Sequence, residues 1–229
     1  MPVLLAAAGF LLVGLDGSVN IAFPSMADAF RVAPTSVRWV IICYVGTYAV
    51  TSFAAGVLAD RLGAARVMRA GLVLSLWCFA AYALVGSFGA LLALRVVQGV
   101  GGGLIYGTAP ALVTLHLPHE RRGWGLGWAG FGLGSGLAVS PLLGGALVGA
   151  FGWKAAFVYR VPVALLIAAL ATRVSEPRRE GGAAWRVVAP GDVLRWPVLH
   201  AGLLAFLGNA AQFSVWQTTN HLKAEEEEA

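Results

Sequence analysis

A helix needs about 20 apolar residues in a row to cross the hydrocarbon of a bilayer. Seven stretches of this chain meet that length: 4–25, 37–58, 70–88, 90–113, 124–150, 155–172 and 197–219. The composition agrees: of 229 residues 59% are hydrophobic and only 12% charged, where a soluble domain carries about 25% charged residues. Too little polar material is left to cover a wetted surface. A soluble enzyme and a disordered tail are both excluded, and the reading is an all-α integral membrane protein.

The first apolar run has no basic residue ahead of it, is interrupted by Asp16 and lacks a small-residue cleavage site. It therefore reads as a retained helix and not a signal peptide. Residues 1–172 form an amino-terminal six-helix bundle, in which the third and fourth spans meet in a tight hairpin around Gly86–Gly89. A polar stretch at 173–196 holds Pro177, Gly181, Gly182 and Pro190 and reads as a cytoplasmic linker. It leads to a seventh transmembrane helix at 197–222 and an acidic tail at 223–229 with no function of its own. An odd number of spans ending in this way argues that the sequence continues in a longer protein.

Basic residues set the direction. Arg61, Arg66, Arg69, Arg121, Arg122, Arg173, Arg178, Arg179, Arg186 and Arg195 fall in connections on one side, against Arg31, Arg38, Lys154 and Lys223 on the other. The positive-inside rule puts the richer side, and the N-terminus with it, in the cytoplasm of a cell whose plasma (inner) membrane holds the chain. The C-terminus then lies outside. The remaining two basic residues, Arg95 and Arg160, fall within or at the edge of spans. Trp39, Trp124, Trp128, Trp153, Trp185, Trp196 and Trp216 lie mostly near span ends and read as interface anchors.

Three features do not belong in plain lipid-facing helices. Asp16 lies about two-thirds of the way along the first span, where a carboxylate costs a few kcal/mol. It must face a water-filled cavity or a partner, or take up a proton. It is a candidate for proton coupling or cation recognition, with Ser18 and Asn20 nearby. Arg95 and Gln98, three residues apart, share one face of the fourth span. A guanidinium there must be paired or hydrated. On the fifth span Gly132, Gly136, Ser140 and Gly144 recur every four residues, with Pro141 and Gly145 alongside, giving a smooth face for close helix approach and a bend.

The connection between the second and third spans, Gly56-Val57-Leu58-Ala59-Asp60-Arg61-Leu62-Gly63-Ala64-Ala65-Arg66, sets an acid, a base and two glycines in a very short turn. Cys43 and Cys78 lie in apolar runs and give no disulfide framework. His116 and His119 fit no metal-ligand spacing. No nucleotide loop, catalytic triad or paired carboxylate is present, so neither metal, cofactor nor nucleic acid is expected.

These motifs resemble those of the major facilitator superfamily. Gly56, Asp60, Arg61, Gly63 and Arg66 are similar to its signature between helices two and three, with alanines at 64 and 65 where a basic residue is frequent. Leu91–Pro110, with Arg95, Gln98, Gly99 and Gly101, resembles the helix-four signature. Gly136–Gly145 resembles the helix-five antiporter signature, with Ser140 where glycine usually precedes the proline. Asp16, Ser18, Asn20, Ala22 and Pro24 are similar to the helix-one pattern of proton-driven drug exporters, and Trp39 and Tyr44 match the start of helix two.

The resemblance implies a transporter, not an enzyme, with a major facilitator six-helix bundle and the seventh helix following. Asp16 would be the proton-titrating group, Arg95 would influence it, and Gly132–Gly145 would be a bending gate. Asp60 would latch against a second bundle. Asn20, Tyr44, Gln98 and Tyr106 are the polar groups expected to line a substrate cavity. The partners implied are membrane lipid, protons, a small hydrophobic or cationic substrate and a missing carboxy-terminal half. The mechanism implied is alternating access. A second hypothesis is a non-transporting membrane scaffold in a larger complex. Charges kept inside the membrane favour transport, and the absence of a second bundle from these residues favours the scaffold.

Overall fold

The computed structural model describes residues 1–175. Six helices in it are long and apolar enough to cross a membrane: α1 (Pro2–Ile21), α2 (Pro34–Leu62), α3 (Ala64–Leu84), α4 (Phe88–His116), α5 (His119–Phe151) and α6 (Ala155–Thr172). The linker from 176 on, the seventh helix and the acidic tail lie outside the described residues. Described as α1–α6, the chain is an all-α integral membrane protein.

The boundaries follow local chemistry. After α1 the backbone turns at Ala22, with Pro24 inside the first turn of the helix Phe23–Phe30. Proline lacks the N–H that a helix start leaves unused. Gly63, at φ 99°, is the whole connection between α2 and α3, and Gly152, at φ 76°, opens the turn from α5 to α6. Both need the left-handed region that glycine enters without strain. Ser87 caps α4 by accepting the Ala90 N–H at 3.3 Å.

Two expectations shift here. The acid-and-base turn at 56–66 is almost wholly helical, because α2 runs on to Leu62 and α3 starts at Ala64. Gly56, Asp60 and Arg61 ride the last turns of α2, Arg66 rides the first turn of α3, and only Gly63 is loop. Trp153 is also no interface anchor: it is 8% exposed and packs on Phe30 and Phe157 at ring separations of 5.1 and 6.2 Å.

Helix α4 is the centre of the bundle, flanked by α1, α2 and α3, while α5 lies along α1 and α6 along α3. The core runs between α1, α3, α4 and α6 through Leu5, Leu12, Met68, Leu72, Ile105, Leu112 and Phe157, all fully or almost fully buried. In contrast α2 and α5 keep broad apolar faces outward, including Phe53, Phe131 and Leu142.

Glycines let the close pairs form. A methyl at Gly99 or Gly103 of α4 would stand 2.7 or 2.8 Å from the Tyr44 or Tyr48 carbonyl oxygen of α2. On α5, a methyl at Gly132 would strike the Ala7 backbone and one at Gly136 the Leu11 carbonyl, both on α1. The antiparallel order brings the ends bearing Arg61, Arg66, Arg121, Arg122 and Arg173 to one side of the bundle. There His116 of α4 meets the Ser175 carbonyl through Nε2 at 3.1 Å. At the opposite end Lys154 donates to the Ala83 carbonyl at 2.9 Å.

Candidate functional site: a carboxylate shared by two buried arginines

Helix α1 tightens into a 3-10 turn at Leu15–Gly17, the turn that carries Asp16. This turn is held from α6. The Tyr159 hydroxyl donates to the Leu15 carbonyl at 3.0 Å, and the Ser18 hydroxyl reaches both the Leu15 and Ala156 carbonyls, at 2.9 and 3.1 Å. Both hydroxyls hold main-chain oxygens that apolar neighbours could not satisfy.

The Asp16 carboxylate, 14% exposed, is gripped by two buried guanidiniums. Arg95 of α4 binds it with two parallel bonds, Nη1 to Oδ1 and Nη2 to Oδ2, each 2.9 Å. Arg160 of α6 donates Nη1 to Oδ1 at 2.6 Å. Gln98 Nε2 adds a third donor to Oδ1 at 3.0 Å. The two-pronged geometry is the strongest form of this pairing, because donors and acceptors match in one plane.

A second layer fixes the donors. Arg95 Nε donates to the Val40 carbonyl of α2 at 2.8 Å. Gln98 Oε1 accepts from Arg95 Nη1 at 2.9 Å and from the Tyr82 hydroxyl of α3 at 2.7 Å. The Tyr44 ring of α2 lies 4.3 Å from the Arg95 guanidinium carbon, and the Phe79 ring of α3 lies 4.5 Å from that of Arg160. Five helices therefore meet at one carboxylate.

Of the residues the sequence singled out, Asp16, Arg95, Gln98 and Tyr44 come together here. Arg95 does not reach toward headgroups, since its side chain is wholly buried. Tyr106 stacks on Phe10 at 4.8 Å and meets Tyr48 at 5.3 Å, and Tyr48 meets Tyr44 at 5.7 Å. An aromatic wall thus runs from Phe10 to the cluster. Asn20 stands half-buried one turn beyond Asp16 and makes none of the cluster's hydrogen bonds. Gly56, Asp60, Arg61, Gly63 and Arg66 sit at the far end of α2 and the start of α3, away from the cluster.

On α5, Gly132, Gly136, Ser140 and Gly144 are buried against α1, the last two opposite Gly17 and Ser18 beside Asp16. Pro141 and Gly145 face outward, and α5 continues through Pro141. Among the described residues no group of three His, Cys, Asp or Glu side chains could hold a metal.

Sequence reasoning passed over Arg160, Tyr82 and Tyr159. Arg160 lies only six positions into the sixth apolar run, where a basic residue reads as an edge. Its available signal was charge parity: a lone Asp16 cannot balance Arg95 and Arg160 together.

Comparison with known proteins points the same way. The profile of the Major Facilitator Superfamily matches residues 5–224. An uncharacterised transporter of that type, Rv1250 of Mycobacterium tuberculosis, is 33% identical over 93% of this chain and 40% of its own length. The tetracenomycin C resistance and export protein of Streptomyces glaucescens is 35% identical over 72% of this chain and 31% of its own. The chain thus spans less than half the length of these curated relatives. The solved structure of the proton:xylose symporter XylE shares the fold, with a TM-score of 0.66 and 18% identity over 76% of this chain and 44% of XylE. With its ordered motifs, six-helix bundle and matching profile, the chain belongs to the major facilitator superfamily.

Proposed function

We propose that this chain is the amino-terminal half of a proton-coupled exporter of small hydrophobic compounds, working by alternating access in the plasma membrane with its N-terminus in the cytoplasm. The observation that carries the reading is the Asp16 carboxylate shared by Arg95 of α4 and Arg160 of α6. A proton and two guanidiniums compete for the same two oxygens, so protonation of Asp16 weakens the tie between α1 and both other helices. Proton uptake is thereby linked to helix movement, which is what coupling requires.

Three further features support parts of this reading. The aromatic wall from Phe10 to Tyr44 suits apolar, ring-bearing molecules. The cluster carries an excess of positive charge, which disfavours a cation beside it and narrows the expected substrates to hydrophobic ones. The direction rests on likeness to a resistance and export protein and on the helix-five motif. The outward apolar faces of α2 and α5 would meet the second bundle, with Asp60 at its cytoplasmic rim.

The test is efflux of a neutral hydrophobic dye, Nile red, in everted vesicles from cells producing the transporter, driven by an imposed pH gradient. Asp16→Asn should abolish gradient-driven movement, while Asp16→Glu should retain a measurable fraction at equal membrane abundance. Full gradient-driven efflux in Asp16→Asn would remove Asp16 from coupling.

A further inference from the structure

We propose that Arg160 forms the wall of a binding site for one small monovalent anion of chloride size, buried among α1, α2, α3, α4 and α6. The inference rests on the cluster's geometry and charge and is independent of any transport activity.

Arg160 is fully buried, yet it uses only Nη1, in its bond to Asp16. Its Nε and Nη2 are buried and have no hydrogen-bond acceptor among the described residues. The rings of Phe79 and Phe157, 4.5 and 5.4 Å from its guanidinium carbon, offer π faces and no lone pairs. Buried N–H groups of a charged side chain are seldom left in this condition, because the lost hydration is not recovered. Arg95, by contrast, has all three of its nitrogens bonded.

Charge points to the kind of occupant. Two guanidiniums face one carboxylate, so among the described residues the buried cluster holds an unbalanced positive charge. A water would accept from Arg160 but leave that charge uncompensated in a medium of low dielectric. An anion does both.

Arg160 lines a cavity of about 10 Å³, the lower end of what one water-sized occupant needs, so a halide there presses its apolar walls slightly apart. The polar residues sharing that wall are Tyr44, Ser75 and Gln98, each with a hydrogen-bond donor to offer, and Asp16 is not part of it. The remainder is apolar, with Leu12, Phe79 and Ile105. A halide needs donors from several sides and no fixed acceptor geometry.

The experiment is a chloride-35 NMR linewidth titration of the purified 229-residue chain in lipid nanodiscs, with gluconate holding ionic strength constant. The proposal predicts excess line broadening that bromide displaces to saturation. Arg160→Gln should lose at least nine-tenths of the displaceable broadening, and the wild-type unfolding midpoint should rise by several degrees from gluconate to chloride. Linewidths that bromide does not displace, or displacement equal in Arg160→Gln, would overturn it. Should Arg160→Gln fail to fold, the wild-type bromide displacement decides alone, its absence meaning that water occupies the site.

Discussion

Asp16 Oδ1 accepts three hydrogen bonds while Oδ2 accepts one, so the carboxylate is the single point through which Arg95, Arg160 and Gln98 are tied together. Removing one partner of a buried ion pair typically costs 3–5 kcal/mol, because the charge left behind has neither water nor partner. Asp16→Asn leaves two such charges. Asp16→Asn should therefore lower the unfolding free energy by about 3 kcal/mol or more, and Asp16→Asn with Arg160→Gln should recover part of that loss. A double-mutant cycle by thermal unfolding in lipid measures this, and strict additivity of the two changes would contradict the shared-carboxylate description.

At this scale the sequence was readable where a charge stood alone in apolar surroundings. Asp16 and Arg95 stand out because each needs a partner and neither has one on its own helix. Arg160 did not, since a basic residue near a span's start is ordinary. Its role depends on how far α6 is drawn in beside α1, which the Ser18 and Tyr159 hydrogen bonds fix and no local pattern states.

At the scale of elements, the four-residue spacing of small residues on α5 was legible as a packing face, and the helix it meets was not. That helix is α1, and the contact lies along Ala7, Leu11, Gly14, Gly17 and Ser18. Close approach there presses α5 against the very turn that holds Asp16. Pro141 was expected to shape the same face, but it points outward, because it is one position away from Ser140 and so about 100° around the helix.

The two positions should accordingly respond differently. Gly136→Leu should destabilise the bundle by about 1–3 kcal/mol or more, as overpacking does, since the Leu11 carbonyl and Gly14 are backbone and cannot turn aside. Pro141→Ala should not lower the unfolding free energy at all, since the side chain faces outward and alanine restores the backbone N–H that proline lacks inside a helix. Thermal unfolding in lipid checks both, and equal effects would mean that the small-residue face is not the contact. The helix ends were less legible than the helix centres. Asp60 and Arg61 read as loop because they are charged, yet α2 simply continues past them until Gly63, with its positive φ, ends it.

At the scale of the bundle, the six helices of the described residues and their type followed directly from apolar run length, while the seventh apolar run lies outside those residues. The arrangement did not, because run length says nothing of neighbours. That α4 lies at the centre follows from its two glycine faces, Gly99 and Gly103 toward α2 and Gly101 toward Gly71 and Ser75 of α3. Placing α4 centrally sets Arg95 within reach of α1 and α2 at once, and α6 brings the second arginine. The broad apolar faces of α2 and α5 are the parts of the bundle left for lipid or for a second bundle.

The central claim is that Asp16 exchanges a proton inside this bundle, and it can be tested directly on the chain itself. The measurement is the pH-induced infrared difference spectrum of the chain in lipid, taken for wild type and for Asp16→Asn and then subtracted one from the other. The account predicts one protonated-carboxyl band in that double difference, absent from Asp16→Asn and shifted in position when Arg160→Gln removes a partner. Identical carboxyl bands in wild type and Asp16→Asn across the pH range where the bundle stays folded would show that Asp16 does not titrate, and would leave the cluster a purely structural tie.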